Sequence, residues 1–196
     1  MHQSNESSRI VELNSFGRTR AIREKSYSSS APVRKPLLKL TITALLGKAF
    51  APLLHDLIPR AAQLLKSPLR DVSVVFVNDA KMTEIHAQFM NDPTTTDVMT
   101  FPIDLDARGR AISGEIYICI PQARRQAKVR GVAVDREVLL YAIHGLLHLC
   151  GFDDRTDRDY RRMHRREDQI LTQLGVGPVF APPACSPAAQ KRHPRA

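Results

Sequence analysis

The chain has 196 residues, 43% of them hydrophobic, which suffices for one domain with a proper core and gives no sign of a second. A net charge of +9 suggests a polyanionic partner, but residues 1–40 hold eight Lys/Arg against three Asp/Glu, and residues 181–196 hold three against none. The stretch 41–180 is therefore close to neutral, and overall charge is weak support for nucleic-acid binding.

The cysteine content and the first apolar stretch of the sequence indicate where in the cell the protein is located. Three cysteines, without a CxxC pair and without an early secretion signal, are typical of a reduced, cytoplasmic protein. The first long apolar stretch contains charged or polar side chains at Lys39, Lys48, His55 and Asp56, which excludes a membrane span there. We therefore expect no membrane partner.

Both ends of the chain have the composition of disordered segments. Residues 1–36 mix Ser, Arg, Asn and Glu with few clustered apolar side chains, and are predicted to be a disordered basic extension. Such an extension would bind RNA loosely, be an incidental solvated tail, or mark an over-extended start of the reading frame. Residues 178–196 are predicted to be a disordered Pro/Ala-rich basic tail, which leaves a domain at 37–177.

Strand and helix signals alternate at the start of the domain. LLKLTIT, residues 37–43, has the alternation and the β-branched residues of a strand. Residues 44–65 are predicted to be helical. Pro52 and Pro59 interrupt this stretch, so we expect the helix to start late or to be kinked.

The clearest strand signal is DVSVVFV, residues 71–77. A short helix is predicted to follow it through about Phe89, capped by Asn78 or Asp79. The segment NDPTTTDVMTFP then has the residues of a turn that opens a third strand.

A polar connection is predicted at residues 103–113, followed by a strand at 114–120, GEIYICI. The next helix, PQARRQAKVR, crowds basic side chains within two turns. A solvated helix face is the usual role of such a run, and phosphate binding is the alternative. If RNA phosphates are bound in the core, the predicted ligands are Arg124, Arg125 and Lys128.

The segment HGLLHLCGFDD carries two histidines at helical spacing. His144 and His148 are close to one turn apart, so both imidazoles project from one face and converge on one ion. Gly151 permits the left-handed conformation that ends a helix, which returns the chain toward the same space. The predicted third ligand is Asp154 or, as the weaker alternative, Asp153.

The helix that carries the histidines is apolar nearly all round and should be buried. Two surface histidines are the alternative interpretation, but buried imidazoles need partners, and a shared metal satisfies both. Two nitrogens and a carboxylate oxygen suit zinc, and three protein ligands leave a coordination position open, as in catalytic sites. Cys150 is an alternative ligand, although a small buried hydrophobe is its expected role.

The last predicted helix, TDRDYRRMHRREDQILTQLG, is capped by Thr156 or Asp157 and closed by Gly175. Its arginines alternate with acids, so we expect their fields partly to cancel.

The order of elements predicts an α+β domain, with a small mixed sheet of about four strands backed by helices and a central metal-bearing helix.

The segment HGLLHLCGFDD resembles the HGxLHLxGYDH signature of the YbeY family, and TDVMTFP resembles the TDVLSFP segment of the same family. The members of this family are bacterial metal-dependent endoribonucleases of rRNA maturation. The resemblance implies metal binding, and catalysis through the metal, by His144, His148 and Asp154, the last standing where the family has a third histidine. The groove arginine of the family falls on Met90. A helix asparagine of the family falls on His86, which either lines the cleft or is an exposed helix histidine.

The resemblance covers about residues 38–175 and implies a zinc-dependent, single-strand-specific endoribonuclease that matures the 3′ end of 16S rRNA and serves ribosome quality control. Its implied partners are ribosomal RNA or a ribosomal subunit, with no DNA. The substituted ligand implies tolerance of other divalent ions. A non-catalytic ribosome-assembly factor with a structural metal is the main alternative. A metallopeptidase is less favoured, because Gly145 occupies the position of the HExxH glutamate.

Overall fold

The computed structural model describes residues 38–179, and both predicted extensions lie outside this part except for residues 178 and 179. The described residues form four strands and five α-helices, in the order predicted from the sequence. They are β1 (Lys39–Ala44), α1 (Ala51–Leu64), β2 (Asp71–Val77), α2 (Asp79–Met90), β3 (Val98–Leu105), β4 (Ala111–Cys119), α3 (Ile120–Arg130), α4 (Val134–Leu149) and α5 (Asp157–Gln173). No helix in this part of the chain is long and apolar enough to cross a membrane.

The sheet is mixed, with strand order β1-β2-β4-β3. β1, β2 and β4 run parallel, and β3 pairs with β4 in the antiparallel direction. The register of β3 shifts between Pro102 and Asp104, which marks a bulge on this edge strand. The predicted α+β fold with a four-stranded mixed sheet is confirmed.

The two faces of the sheet pack against different helices because side chains alternate along each strand. Val72, Val74 and Ile116 point into the larger core with α1, α4 and α5. Val77 and Cys119 point the other way, into a smaller core closed by α2. α4, the helix predicted to bear the metal, therefore lies in the main core.

α4 lies unusually close to the sheet, because glycines stand at two contact points. A Cβ at Gly145 would lie 2.7 Å from Ile116 Cγ2, and a Cβ at Gly114 would lie 2.5 Å from Leu149 Cδ2. From Glu137 to Leu149 the helix is buried at all positions except the two histidines. This confirms the predicted central position of the helix.

The predicted helix starts agree with the structure. α1 begins late, with Pro52 in its first turn, because the missing N–H of proline costs nothing there. Asn78 caps α2 by accepting a hydrogen bond from Lys81 N, and Thr156 caps α5 by accepting one from Asp159 N.

The connection predicted at residues 103–113 is shorter in the structure, because β3 continues to Leu105 and β4 begins at Ala111. Asp106 closes the turn between them: its Oδ1 accepts hydrogen bonds from Arg108 N at 2.8 Å and Arg110 N at 3.0 Å. This local side-chain contact lets both strands extend.

Candidate metal centre

The centre is built from the last two turns of α4 and the loop after it. His144 and His148 lie one turn apart, and their Nε2 atoms approach to 3.0 Å. Gly151 has a φ of 84°, which turns the chain back after the helix. Asp154 Oδ2 thereby lies 3.7 Å from His144 Nε2, and one ligand atom of each residue lies within 4.8 Å of the others.

Both rings are oriented by a hydrogen bond at Nδ1. His144 Nδ1–H donates to Glu167 Oε1 at 2.7 Å, and His148 Nδ1–H donates to the carbonyl oxygen of Phe152 at 3.0 Å. Because a carboxylate and a carbonyl can only accept, each partner fixes the proton on Nδ1 and leaves Nε2 to face the centre.

Glu167 is a fully buried carboxylate on α5 that connects two histidines. Its Oε1 accepts from His144 and its Oε2 accepts from His164 Nδ1 at 2.6 Å. Burial alone would raise the pKa of Glu167, but the hydrogen bonds from the two histidines hold that pKa below its usual range. The carboxylate is therefore ionised and supplies a fixed negative charge behind the centre.

The imidazoles of the two candidate ligands have opposite pKa shifts. Burial opposes charge on His144, but the hydrogen bond and charge of Glu167 outweigh it and raise the pKa of His144. Burial and the neighbouring His144 lower the pKa of His148. His148 is thus the ring kept neutral, which is the state that coordinates a metal.

The donor set fits one divalent ion. With both protons at Nδ1, two Nε2 lone pairs face each other at 3.0 Å, an arrangement that needs a cation or a proton between them. Ligand atoms around a tetrahedral zinc with bonds of about 2.0 Å stand roughly 3.3 Å apart. Two of the three distances within the triad, 3.0 and 3.7 Å, bracket this spacing, and the third is at most 4.8 Å.

The two alternative ligands are engaged elsewhere. Asp153 Oδ1 accepts a hydrogen bond from Asp154 N at 2.8 Å, and its Oδ2 lies 3.5 Å from Arg155 Nε. Cys150 Sγ lies 3.2 Å from Ser67 Oγ, and burial raises the pKa of its thiol. These contacts leave Asp154 as the carboxylate that shares the space of the histidines.

The predicted substrate-binding residues belong to other parts of the structure. Arg125 on α3 forms an ion pair with Asp79 on α2, with its Nη1 3.0 Å from Asp79 Oδ2. His86, also on α2, donates from Nδ1 to the carbonyl of Thr94 at 2.8 Å. Arg124 and Lys128 are exposed on α3. The predicted place of His86 in the same cleft as the triad stays a prediction.

Two features of α5 were missed from the sequence. Glu167 falls in the apolar stripe of the helix, four residues after Met163 and three before Ile170, and an acid in such a stripe signals a buried polar partner. Arg162, Arg165 and Arg166 line a cleft with Phe152. The sequence gives no signal for that cleft, because the loop that forms its other side is placed only by tertiary packing.

A sequence profile described as Endoribonuclease YbeY matches residues 44–175. Proteins named Endoribonuclease YbeY from Bacillus thuringiensis, Bacillus cereus and Bacillus anthracis are 32% identical to the chain over 135 residues, which is 64% of this chain and 86% of each relative. The solution structure of TM1509 from Thermotoga maritima covers 75% of this chain and 99% of that one, at 24% identity and a TM-score of 0.49. The profile match includes all three candidate metal ligands.

Proposed function

The chain belongs to the Endoribonuclease YbeY family, and from this membership we propose that it cleaves single-stranded ribosomal RNA at a metal held by His144, His148 and Asp154. The family supports the endoribonuclease activity. Our proposal adds metal dependence, with zinc as the ion, a role in rRNA maturation at the 3′ end of 16S rRNA and in ribosome quality control, and a cytoplasmic location.

The observation that carries the proposal is the convergence of three ligand atoms within 4.8 Å, with both imidazoles already oriented by partners behind them. Such second-sphere contacts are typical of metal-binding histidines. A bound ion would supply Lewis acidity at the scissile phosphate. His144 and His148 would present their Nε2 atoms to it, and Asp154 would add one negative charge.

The substitution of aspartate for the family histidine makes the ligand set harder, since a carboxylate oxygen suits manganese and magnesium better than an imidazole does. We therefore propose zinc as the principal ion and expect other divalent ions to substitute for it. The exposed fraction of the Asp154 side chain, 37%, against 18% for His144, puts the carboxylate at the open side of the centre.

A ribosome-assembly factor with a structural metal is the second candidate. Two departures from the family favour it: Asp154 replaces a histidine, and the exposed Met90 stands where the family has a groove arginine. A peptidase is disfavoured for a steric reason. The general base of HExxH peptidases is a glutamate at the position that Gly145 occupies here. A Cβ at this position would lie 2.7 Å from Ile116 Cγ2, so a glutamate does not fit there.

The test combines elemental analysis with cleavage of single-stranded ribosomal RNA, and duplex RNA serves as the substrate control. Wild type and His55→Ala should hold about one metal per chain and cut the single strand, because His55 is exposed on α1, away from the triad. His144→Ala should lose both properties. Metal without cleavage in wild type would support the assembly factor, and cleavage by a metal-free His144→Ala protein would refute the proposed site.

A further inference from the structure

A basic cleft lies between the loop after α4 and the exposed side of α5. It has a volume of about 240 Å³ and is lined by Phe152, Arg162, Arg165, Arg166 and Gln169. Three guanidinium groups thus share one concave surface, and none of its lining residues is acidic. We call this surface the arginine cleft.

The acidic side chains of α5 do not line the arginine cleft. Asp159 lies at the helix start and accepts from Thr156 Oγ1 at 2.6 Å. Glu167 is buried between the histidines, and Asp168 accepts from Val179 N at 2.7 Å. The side chains that line the cleft therefore carry positive charge only.

Two of the three arginines are held in place by contacts that leave other N–H groups available. The Arg162 guanidinium lies over the Phe152 ring, with Cζ 5.1 Å from the ring centroid. Arg166 donates from Nη1 to Gln169 Oε1 at 3.2 Å and from Nη2 to the carbonyl of Leu64 at 3.0 Å. A guanidinium has five N–H donors in a planar fork that matches phosphate oxygens. The cleft is therefore partly organised for an oxyanion.

Phe152 connects the arginine cleft directly to the metal centre. Its ring lies under Arg162, and its carbonyl oxygen accepts the Nδ1–H of His148 at 3.0 Å. One residue thus contacts both an arginine of the cleft and a candidate metal ligand. We propose that the arginine cleft binds a backbone phosphate of single-stranded RNA outside the metal centre. That the bound anion is an RNA phosphate rests on the proposed function, the cleavage of RNA.

Binding of labelled single-stranded oligouridylate to the full chain tests this proposal by fluorescence anisotropy, with chelator present so that no strand is cut. Arg162→Gln/Arg165→Gln should weaken binding by roughly tenfold or more. The slope of log K against log salt should fall by about 0.7 for each phosphate that the variant no longer neutralises. The matched control is Arg158→Gln/Arg161→Gln, which removes the same charge from exposed positions of the same helix outside the cleft and should change affinity less than threefold.

The proposal is overturned if both double variants weaken binding equally, or if neither does. It is also overturned if polyglutamate competes as well as the RNA, since the cleft would then be a general anion site. Should Arg162→Gln lower the melting temperature by disturbing Phe152, Arg165→Gln alone carries the test, because its exposed side chain leaves that ring contact in place. Because binding is measured without cleavage, loss of catalysis in wild type would refute the proposed function while leaving this result standing.

Discussion

Glu167 and His144 are 23 residues apart in sequence, yet the carboxylate of one lies 2.7 Å from Nδ1 of the other. The contact joins α5 to α4 at the metal-facing histidine. It is also buried, with no exposed surface on Glu167. The position of the imidazole therefore depends on the docking of a helix that contributes no metal ligand.

Replacing Glu167 by glutamine should weaken metal binding by about 10- to 100-fold, the usual effect of removing a carboxylate behind a metal-bound histidine. Glutamine keeps the size of the side chain but removes its charge and can present an N–H instead of an acceptor to Nδ1. Competition against a chromophoric zinc chelator gives the affinity. Glu84→Gln, on an exposed part of α2, is the control. Equal zinc affinity in wild type and Glu167→Gln would show that the contact does not orient His144 for the metal.

Removing the metal should lower the melting temperature, because the ion ties the buried helix α4 to the loop that carries Asp154. An ion at a hundred times its dissociation constant stabilises the folded state by about 2.7 kcal/mol. For a chain of this size that corresponds to roughly 5–11 °C. Calorimetry with and without chelator measures the change. His144→Ala protein should melt at one temperature under both conditions, and an unchanged wild-type value would count against an occupied site.

Asp154→His should shift metal selectivity toward zinc over manganese, since it exchanges a hard anionic oxygen for an imidazole nitrogen. Asp154→Ala should lower the affinity for both ions. Isothermal titration with each metal gives the ratio. The neighbouring Asp153→Ala is the matched control, because its carboxylate already accepts from Asp154 N and should leave metal affinity unchanged. Full metal occupancy in Asp154→Ala would assign the third position to another ligand.

Asp106 should make the β3–β4 hairpin sensitive to acid. Hydrogen bonds from the backbone and side chain of Arg110 lower the pKa of Asp106 to about 2. Because the folded pKa lies below the ordinary value of 3.8, the stabilisation is fully present above about pH 4 and disappears as pH falls through about 2. An NMR titration of the Asp106 carboxyl should show this low midpoint. In the Asp106→Ala variant, the decrease in hairpin order on acidification should be smaller. A titration midpoint of Asp106 near pH 4 in the wild type would contradict the turn geometry.

The convergence of the three candidate ligands depends on local rules. Helical spacing places His144 beside His148, and the left-handed Gly151 returns Asp154 to the same space. Glu167 could not be placed this way, because its contact requires α5 to dock on α4. The arginine cleft requires the same docking together with the path of the loop through Phe152.

The order of strands and helices was predicted from sequence periodicity, but the length of the connection between β3 and β4 was not. Residues 103–113 are polar in sequence, but the side chain of Asp106 replaces backbone partners in a tight turn and lets β3 and β4 continue. Composition alone cannot show that a single carboxylate shortens a loop in this manner.

The irregular edge of β3 affects how the domain behaves beside other copies of itself. An edge strand has unpaired backbone N–H and C=O groups that can pair with a strand of a second molecule, and such pairing leads to aggregation. β3 carries Pro102, which has no N–H to offer, and its register shifts immediately afterwards. Ile103 and Leu105 are more than half exposed at this point, so apolar side chains are available to a neighbour while a continuous backbone ladder is not. The bulge thus interrupts strand addition at this edge of the sheet.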